Sequence, residues 1–219
     1  MQAEREIDIR RIHKLVIAGW TGRDQAALEK HIRELEALGV KRPKTTPIFY
    51  RVAAALLTDA DEIEVLGGHS SGEVECVVHA LDGELWIGLG SDHTDRKVEA
   101  TGVSLSKQIC AKPVSRRVWR FGDVAPHWDR LVLRSFVRVD GARRLYQEGP
   151  VAAMHSPLEL IRRYSGQSEL PEGSAMFCGT LAVHGDIAPA DMFEMELEDP
   201  VLGRTLRHGY RVATLPDMG

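Results

Sequence analysis

The spacing of hydrophobic positions changes along this chain. In HKLVIAGW (13–20) the apolar residues are contiguous, which predicts a short buried strand. From Asp24 to Leu38 the apolar Leu28, Ile32, Leu35 and Leu38 recur at helical spacing, with Thr21 to Asp24 supplying caps and Gly39 ending the helix. From Glu62 onward the texture becomes short alternating runs: EIEVLG, EVECVVHA, ELWIGLG, then DRLVLRSFVRV joined to ARRLYQ through the turn pair Asp140-Gly141. A second helix starts at Ser156, where an N-cap serine, Pro157 at the first helical position and Glu159 three residues on form a capping box. In the tail Phe193, Met195 and Leu197 share one strand face and Glu194, Glu196 and Glu198 the other, whose acidic side is expected to be simply solvated.

At 219 residues, with no internal repeat and no Pro/Gly-rich linker, the chain predicts a single domain. A composition 43% hydrophobic and 27% charged, with net charge -4, describes an ordinary globular surface and argues against a nucleic-acid partner. No apolar run approaches the roughly 20 residues needed to cross a bilayer, and the start MQAEREIDIRR is charged, so the expectation is a cytoplasmic protein without membrane contact. Cys76, Cys110 and Cys178 are widely spaced, with no CxxC, and read as buried free thiols.

The candidate chemistry lies in EVECVVHA. Residues two apart share a strand face, so Glu73, Glu75, Val77 and His79 point one way. Asp82-Gly83 is a two-residue hairpin turn, and the register it dictates sets Asp92 opposite Glu73, Gly90 opposite Glu75 and Gly88 opposite Val77. The bare backbone at the two glycines is expected to leave room beside the carboxylates. Three carboxylates so close need protonation or a cation, and an all-oxygen set points to a hard ion: Mg²⁺ or Mn²⁺, with Ca²⁺ a third option. By pattern alone the favoured reading is the commoner one, in which Glu73 and Glu75 form the wet face of a half-exposed strand and Asp92 is a loop cap.

Further elements follow in order: Gly72-Glu73-Val74-Glu75, Ser91-Asp92, Lys112 in AKPVS, and Gly179-Thr180 in FCGTLAVHG. Before them, IAGWTGRDQAALEKHIRELEALGV carries His31 and Glu34 one helical turn apart. This series resembles the fumarylacetoacetate hydrolase superfamily, and IAGWTGRD and GSDHTDRKVEA are most similar to a bacterial branch of it made of domains of unknown function. Where relatives commonly read Asn-Asp-x-Ser-x-Arg-Asp, this chain reads Ser91-Asp92-His93-Thr94-Asp95-Arg96, which leaves the roles of Asp95 and Arg96 open.

The resemblance implies an α+β, mainly β fold: a mixed β-sandwich roll with short peripheral helices, in which 1–50 supply a strand and a lid helix and 60–215 the catalytic core. It also implies a homodimer. Glu73, Glu75 and Asp92 would hold the metal, which would act as a Lewis acid on a small oxo acid. Lys112 would place positive charge near a developing oxyanion, and Gly179, Thr180 and His93 would bind substrate. His31, oriented by Glu34, would activate water. That dyad tilts the expected activity toward hydrolysis of a C–C bond in an acylpyruvate-like or β-diketo acid. Decarboxylation of a 2-oxo acid, dehydration of a sugar acid, and non-catalytic binding of a small acid are the alternatives.

Overall fold

The computed structural model describes residues 4–37 and 42–218; the side chains of His31, Glu34, Leu35 and Ala37 also lie outside the described part. The fold is α+β and mainly β, built on two sheets. Seven strands form the larger sheet, in the spatial order Arg5–Glu6, Arg117–Arg120, Glu84–Ser91, Val74–Leu81, Ser174–Phe177, Lys14–Gly19 and Ile48–Val52. Five form the second: Ala142–Pro150, Val132–Val139, Met192–Asp199, Arg204–Leu215 and Glu62–Leu66. Two of the pairings are parallel and link distant segments: Ser174–Phe177 with the early strand Lys14–Gly19, and Glu62–Leu66 with the C-terminal strand.

The sheets pack face to face. Val74, Cys76, Val78, Ile87 and Leu89 from one meet Leu133, Phe193, Met195, Leu197 and Tyr210 from the other in the main core. The opposite face of the larger sheet carries a second core, in which Val77, Leu81, Val118 and Phe177 pack with Ile7, Ile12 and Val114. The strand Val74–Leu81 is therefore buried on both faces along its whole length. Among the described residues no helix is long and apolar enough to cross a membrane.

The local expectations carry over closely. The hairpin register holds, with Val74 opposite Ser91, Glu75 opposite Gly90 and His79 opposite Trp86. It is set by a turn in which Asp82 and Gly83 both have positive φ, 60° and 70°. The first helix spans Gln25–Ala37, and the Asp24 carboxylate caps it by accepting from the Ala26 and Ala27 N–H groups. Its expected end at Leu38 and Gly39 lies outside the described residues. The second spans Pro157–Ser165, where the Ser156 hydroxyl accepts from the Glu159 N–H at 3.4 Å. The return half of that capping box is not formed, because the Glu159 carboxylate is taken by Arg162 and Arg163. All three cysteines are buried and free.

The acidic face of Met192–Asp199 differs from the simple solvated face expected. Glu194 binds Arg138 and Arg143 at 2.7 and 2.6 Å, Glu196 binds Arg207 at 3.1 Å, and Glu198 binds Arg134 at 2.5 Å. Arginines on the neighbouring strands thus cancel what would be a row of like charges.

Candidate metal centre

Glu73 immediately precedes the strand Val74–Leu81, Glu75 is its second residue, and Asp92 follows the end of its hairpin partner. The Asp92 N–H donates to the Glu73 carbonyl at 3.0 Å, so the ladder extends one step to bring these residues together. One oxygen from each of Glu73, Glu75 and Asp92 lies within 4.8 Å of the others. Glu75 and Asp92 are 2% and 0% exposed, whereas the Glu73 side chain keeps 19%, so Glu73 marks the solvent side.

Each carboxylate is held differently. Glu75 Oε2 accepts the Gly179 N–H at 2.6 Å. Glu73 Oε1 lies 3.1 Å from Arg96, whose guanidinium also binds the Ser71 hydroxyl and Glu99 at 2.7 and 2.9 Å. Asp92 Oδ2 accepts from Lys107, while its Oδ1 stands 3.2 Å from Lys112 Nζ yet accepts no hydrogen bond from any described group. Lys107 Nζ also lies 3.9 Å from Glu73.

Burial, then Asp92, then Glu73, push the Glu75 carboxyl well above the usual carboxylate range. Burial pushes Asp92 up too, but Lys107 and Lys112 reverse this and hold it below its ordinary value. Burial pulls Lys107 down, and Asp92 and Glu73 outweigh it, leaving that ammonium firmly charged. For Lys112 burial prevails over Asp92 and lowers it. A buried acid held above the usual carboxylate range beside two others, together with a buried Asp92 oxygen that accepts no hydrogen bond from any described group, fits a hard divalent cation bound through oxygen.

Several expectations about neighbouring residues change. The register at Gly90 and Gly88 is as expected, but the room is not. A Cβ on Gly90 would lie 2.6 Å from both Phe177 and Val77, and one on Gly88 would meet Val118, Ser115 and His79 at 3.1 to 3.3 Å. These glycines admit core side chains rather than a substrate. His93, expected to bind substrate, is 1% exposed, and its two ring nitrogens are engaged by Tyr210 and Ser70 at 2.9 and 2.8 Å. It faces the inter-sheet core and leaves no nitrogen free. Its carbonyl instead anchors Lys112 Nζ at 2.5 Å.

Lys112 is 0% exposed behind Asp92, with no open side toward a ligand. The Thr180 hydroxyl donates to the Val74 carbonyl and accepts from Gln147, both at 2.8 Å. Gly179 and Thr180 therefore frame the carboxylates. His31 and Glu34 share the helix Gln25–Ala37, but their side chains lie outside the described residues.

Three contributors were not legible in the sequence. Lys107 is one of several lysines in polar surroundings, and only the placement of its helix, Val103–Gln108, turns it inward. Arg96 begins a one-turn helix capped by Asp95, whose carboxylate accepts the Val98 N–H, which settles both open positions. Gln147 follows a bulge opposite Ser135 and Phe136, is fully buried, and joins Val74, Ser135, Thr180 and Leu181. A cleft of about 530 Å³ lined by Arg23, His127, Trp128 and His155 shares no residue with this centre.

Residues 18–210 match the model of a family described as a protein of unknown function, DUF2848. The chain belongs to the DUF2848 family. No curated protein sequence matches it. The fold of this DUF2848 protein is that of the fumarylacetoacetate hydrolase superfamily. It superposes on a yeast fumarylacetoacetate hydrolase family protein with a TM-score of 0.66 at 16% identity, covering 95% of this chain and 96% of that one. A 2-keto-3-deoxy-D-arabinonate dehydratase complexed with magnesium and 2,5-dioxopentanoate gives 0.65 at 18%, covering 94% and 75%. A 4-oxalocrotonate decarboxylase from Pseudomonas putida G7, complexed with magnesium and adipate, gives 0.60 at 12%, covering 98% and 80%.

Proposed function

We propose that this DUF2848 protein is a divalent-metal-dependent enzyme acting on a small oxo acid, with Glu73, Glu75 and Asp92 holding Mg²⁺ or Mn²⁺. The observation that carries the reading is the convergence of these three carboxylates on one buried point backed by two lysines. Magnesium in two proteins of the same fold adds support. When bound, the cation would supply Lewis-acid polarisation of substrate oxygens.

The chain's own residues supply the rest. Glu73 stands at the solvent side and would meet incoming ligand first. Arg96 fixes its carboxylate from behind, and Gln147 with Thr180 fixes the strand that carries Glu75. The positive charge expected from Lys112 is better supplied by Lys107, because Lys107, although buried too, lies 3.9 Å from Glu73 at the solvent side, whereas Lys112 sits behind Asp92. Lys112 then serves to position Asp92. His31, supported by Glu34 at i+3, would take a proton from water, and this dyad favours hydrolysis of a C–C bond in an acylpyruvate-like or β-diketo acid.

A second reading, dehydration or decarboxylation of an oxo acid, is favoured by the named activities of the two magnesium-bearing relatives in fold. Turnover of acylpyruvates, 2-oxo acids and 2-keto-3-deoxy sugar acids, measured with Mn²⁺ and with chelator, tests the proposal. Metal-dependent turnover of an acylpyruvate that Glu75→Gln abolishes, and that His31→Ala slows at unchanged metal affinity, supports hydrolysis. Turnover of the other classes with an inert acylpyruvate supports the second reading. Tight acid binding without turnover of any class would overturn both and leave a binding domain.

A further inference from the structure

Three cations surround the three carboxylates, and they are held with very different firmness. Arg96 is clasped by Ser71, Glu99 and Glu73. Lys112 is fastened to the His93 carbonyl within a strand that pairs with Leu57–Thr58. Among the described residues Lys107 Nζ meets only the carboxylates and, at 5.8 Å, the face of the Tyr50 ring. Among the described residues its ammonium makes one hydrogen bond, to Asp92, and one longer ion pair, to Glu73.

The helix that carries Lys107 buries Ser106 and Lys107 and is tied at its end by Gln108, whose Oε1 accepts the Ala53 N–H at 3.0 Å, but its first turn and outer side are held less firmly. Val103–Gln108 has no side-chain cap at its start, and on its outer side Leu105 is 53% exposed, with Ile109 just beyond it at 50%. The Tyr50 ring lies 5.8 Å from Lys107 Nζ and offers an ammonium a second station on its π face.

An ammonium has no lone pair and cannot ligate a metal. Placed on Asp92 and near Glu73, it occupies the space that a cation shared by the three carboxylates would need, and like charges at that separation repel. Even with Glu75 deprotonated, Glu73, Glu75, Asp92 and the Glu99 that shares Arg96 carry four negative charges against the three positive charges of Arg96, Lys107 and Lys112. A divalent ion added on top turns this into a positive excess that the least anchored cation can relieve by moving.

We propose that Lys107 is the resident counter-ion of the metal-free centre, and that a divalent cation binds by displacing its ammonium from Asp92 toward Tyr50. Metal occupancy is thereby coupled to the position of the helix Val103–Gln108 and to the presentation of a free ammonium beside the ligand site. The inference rests on the metal reading above and concerns how that site is loaded.

Two measurements on the full chain test it. In the first, Mn²⁺ affinity is measured by calorimetry for the wild type, Lys107→Met and Glu75→Gln. Removing the competing charge should tighten Mn²⁺ binding on the order of tenfold, whereas Glu75→Gln should abolish it. In the second, acetylation of Lys107 in the wild type is followed by mass spectrometry, and saturating Mg²⁺ should accelerate it. Equal or weaker Mn²⁺ binding by Lys107→Met, with the wild type binding normally, overturns the displacement and leaves the metal site standing. A wild type that takes up no Mn²⁺ at millimolar concentration removes both. Should Lys107→Met fail to fold, the labelling experiment decides: no change in Lys107 reactivity on adding Mg²⁺ overturns the inference.

Discussion

The main-chain N–H of Gly179 donates to Glu75 Oε2 across 2.6 Å, so that two motifs 104 residues apart meet in one hydrogen bond. Gly179 has φ +96°, and a Cβ there would lie 1.8 Å from Thr21 Oγ1. Both the backbone and the contact exclude a side chain. Gly179→Ala should therefore cost more than about 2 kcal/mol of stability and weaken Mn²⁺ binding. Urea unfolding and calorimetry check this. A variant as stable as the wild type would mean that the segment relaxes freely.

Asp92 and Glu75 should respond to neutralisation with opposite signs. Asp92 balances two buried ammoniums, so Asp92→Asn in metal-free protein should destabilise by about 3–5 kcal/mol. Glu75 has its folded-state value raised. Its contribution is present below the ordinary carboxylate value of 4.5 and is lost as pH rises. Glu75→Gln removes that loss and should raise the melting temperature in chelator at neutral pH. Melting curves of the two variants at pH 7 test the pair.

Gly90 packs under Phe177 and Val77. Gly90→Ala should cost about 1–3 kcal/mol by overpacking, and adding Phe177→Leu should restore part of it. Denaturant midpoints of the single and double variants measure the coupling; strict additivity would contradict the close approach.

His79 is fully buried, neither ring nitrogen has a hydrogen-bond partner among the described residues, and burial lowers its imidazole from 6.5 to about 4. The neutral form is the one that the fold accepts. Its stabilisation is complete above pH 6.5 and is lost as pH falls toward 4, an effect of about 3 kcal/mol. His79→Leu should flatten the stability profile between pH 6.5 and 4 by that amount in urea titrations. A slope from His93, lowered to about 3 by burial, remains.

Sequence alone determined whatever depends on local period and turn chemistry. Alternation placed Glu73 and Glu75 on one face, the Asp82-Gly83 turn set Asp92 against Glu73, and Ser156-Pro157 marked a helix start, because each follows from backbone geometry within a few residues. The order of motifs also pointed to the superfamily whose fold the chain shares. Tertiary structure alone decided which polar groups face the carboxylates. Lys107 rather than Lys112 lies beside Glu73, Arg96 backs Glu73, His93 turns into the core, and Phe177 fills the space beside Gly90. These outcomes depend on where a short helix and a second sheet dock. Docking is set by the burial of surfaces contributed by distant segments, which no local spacing records.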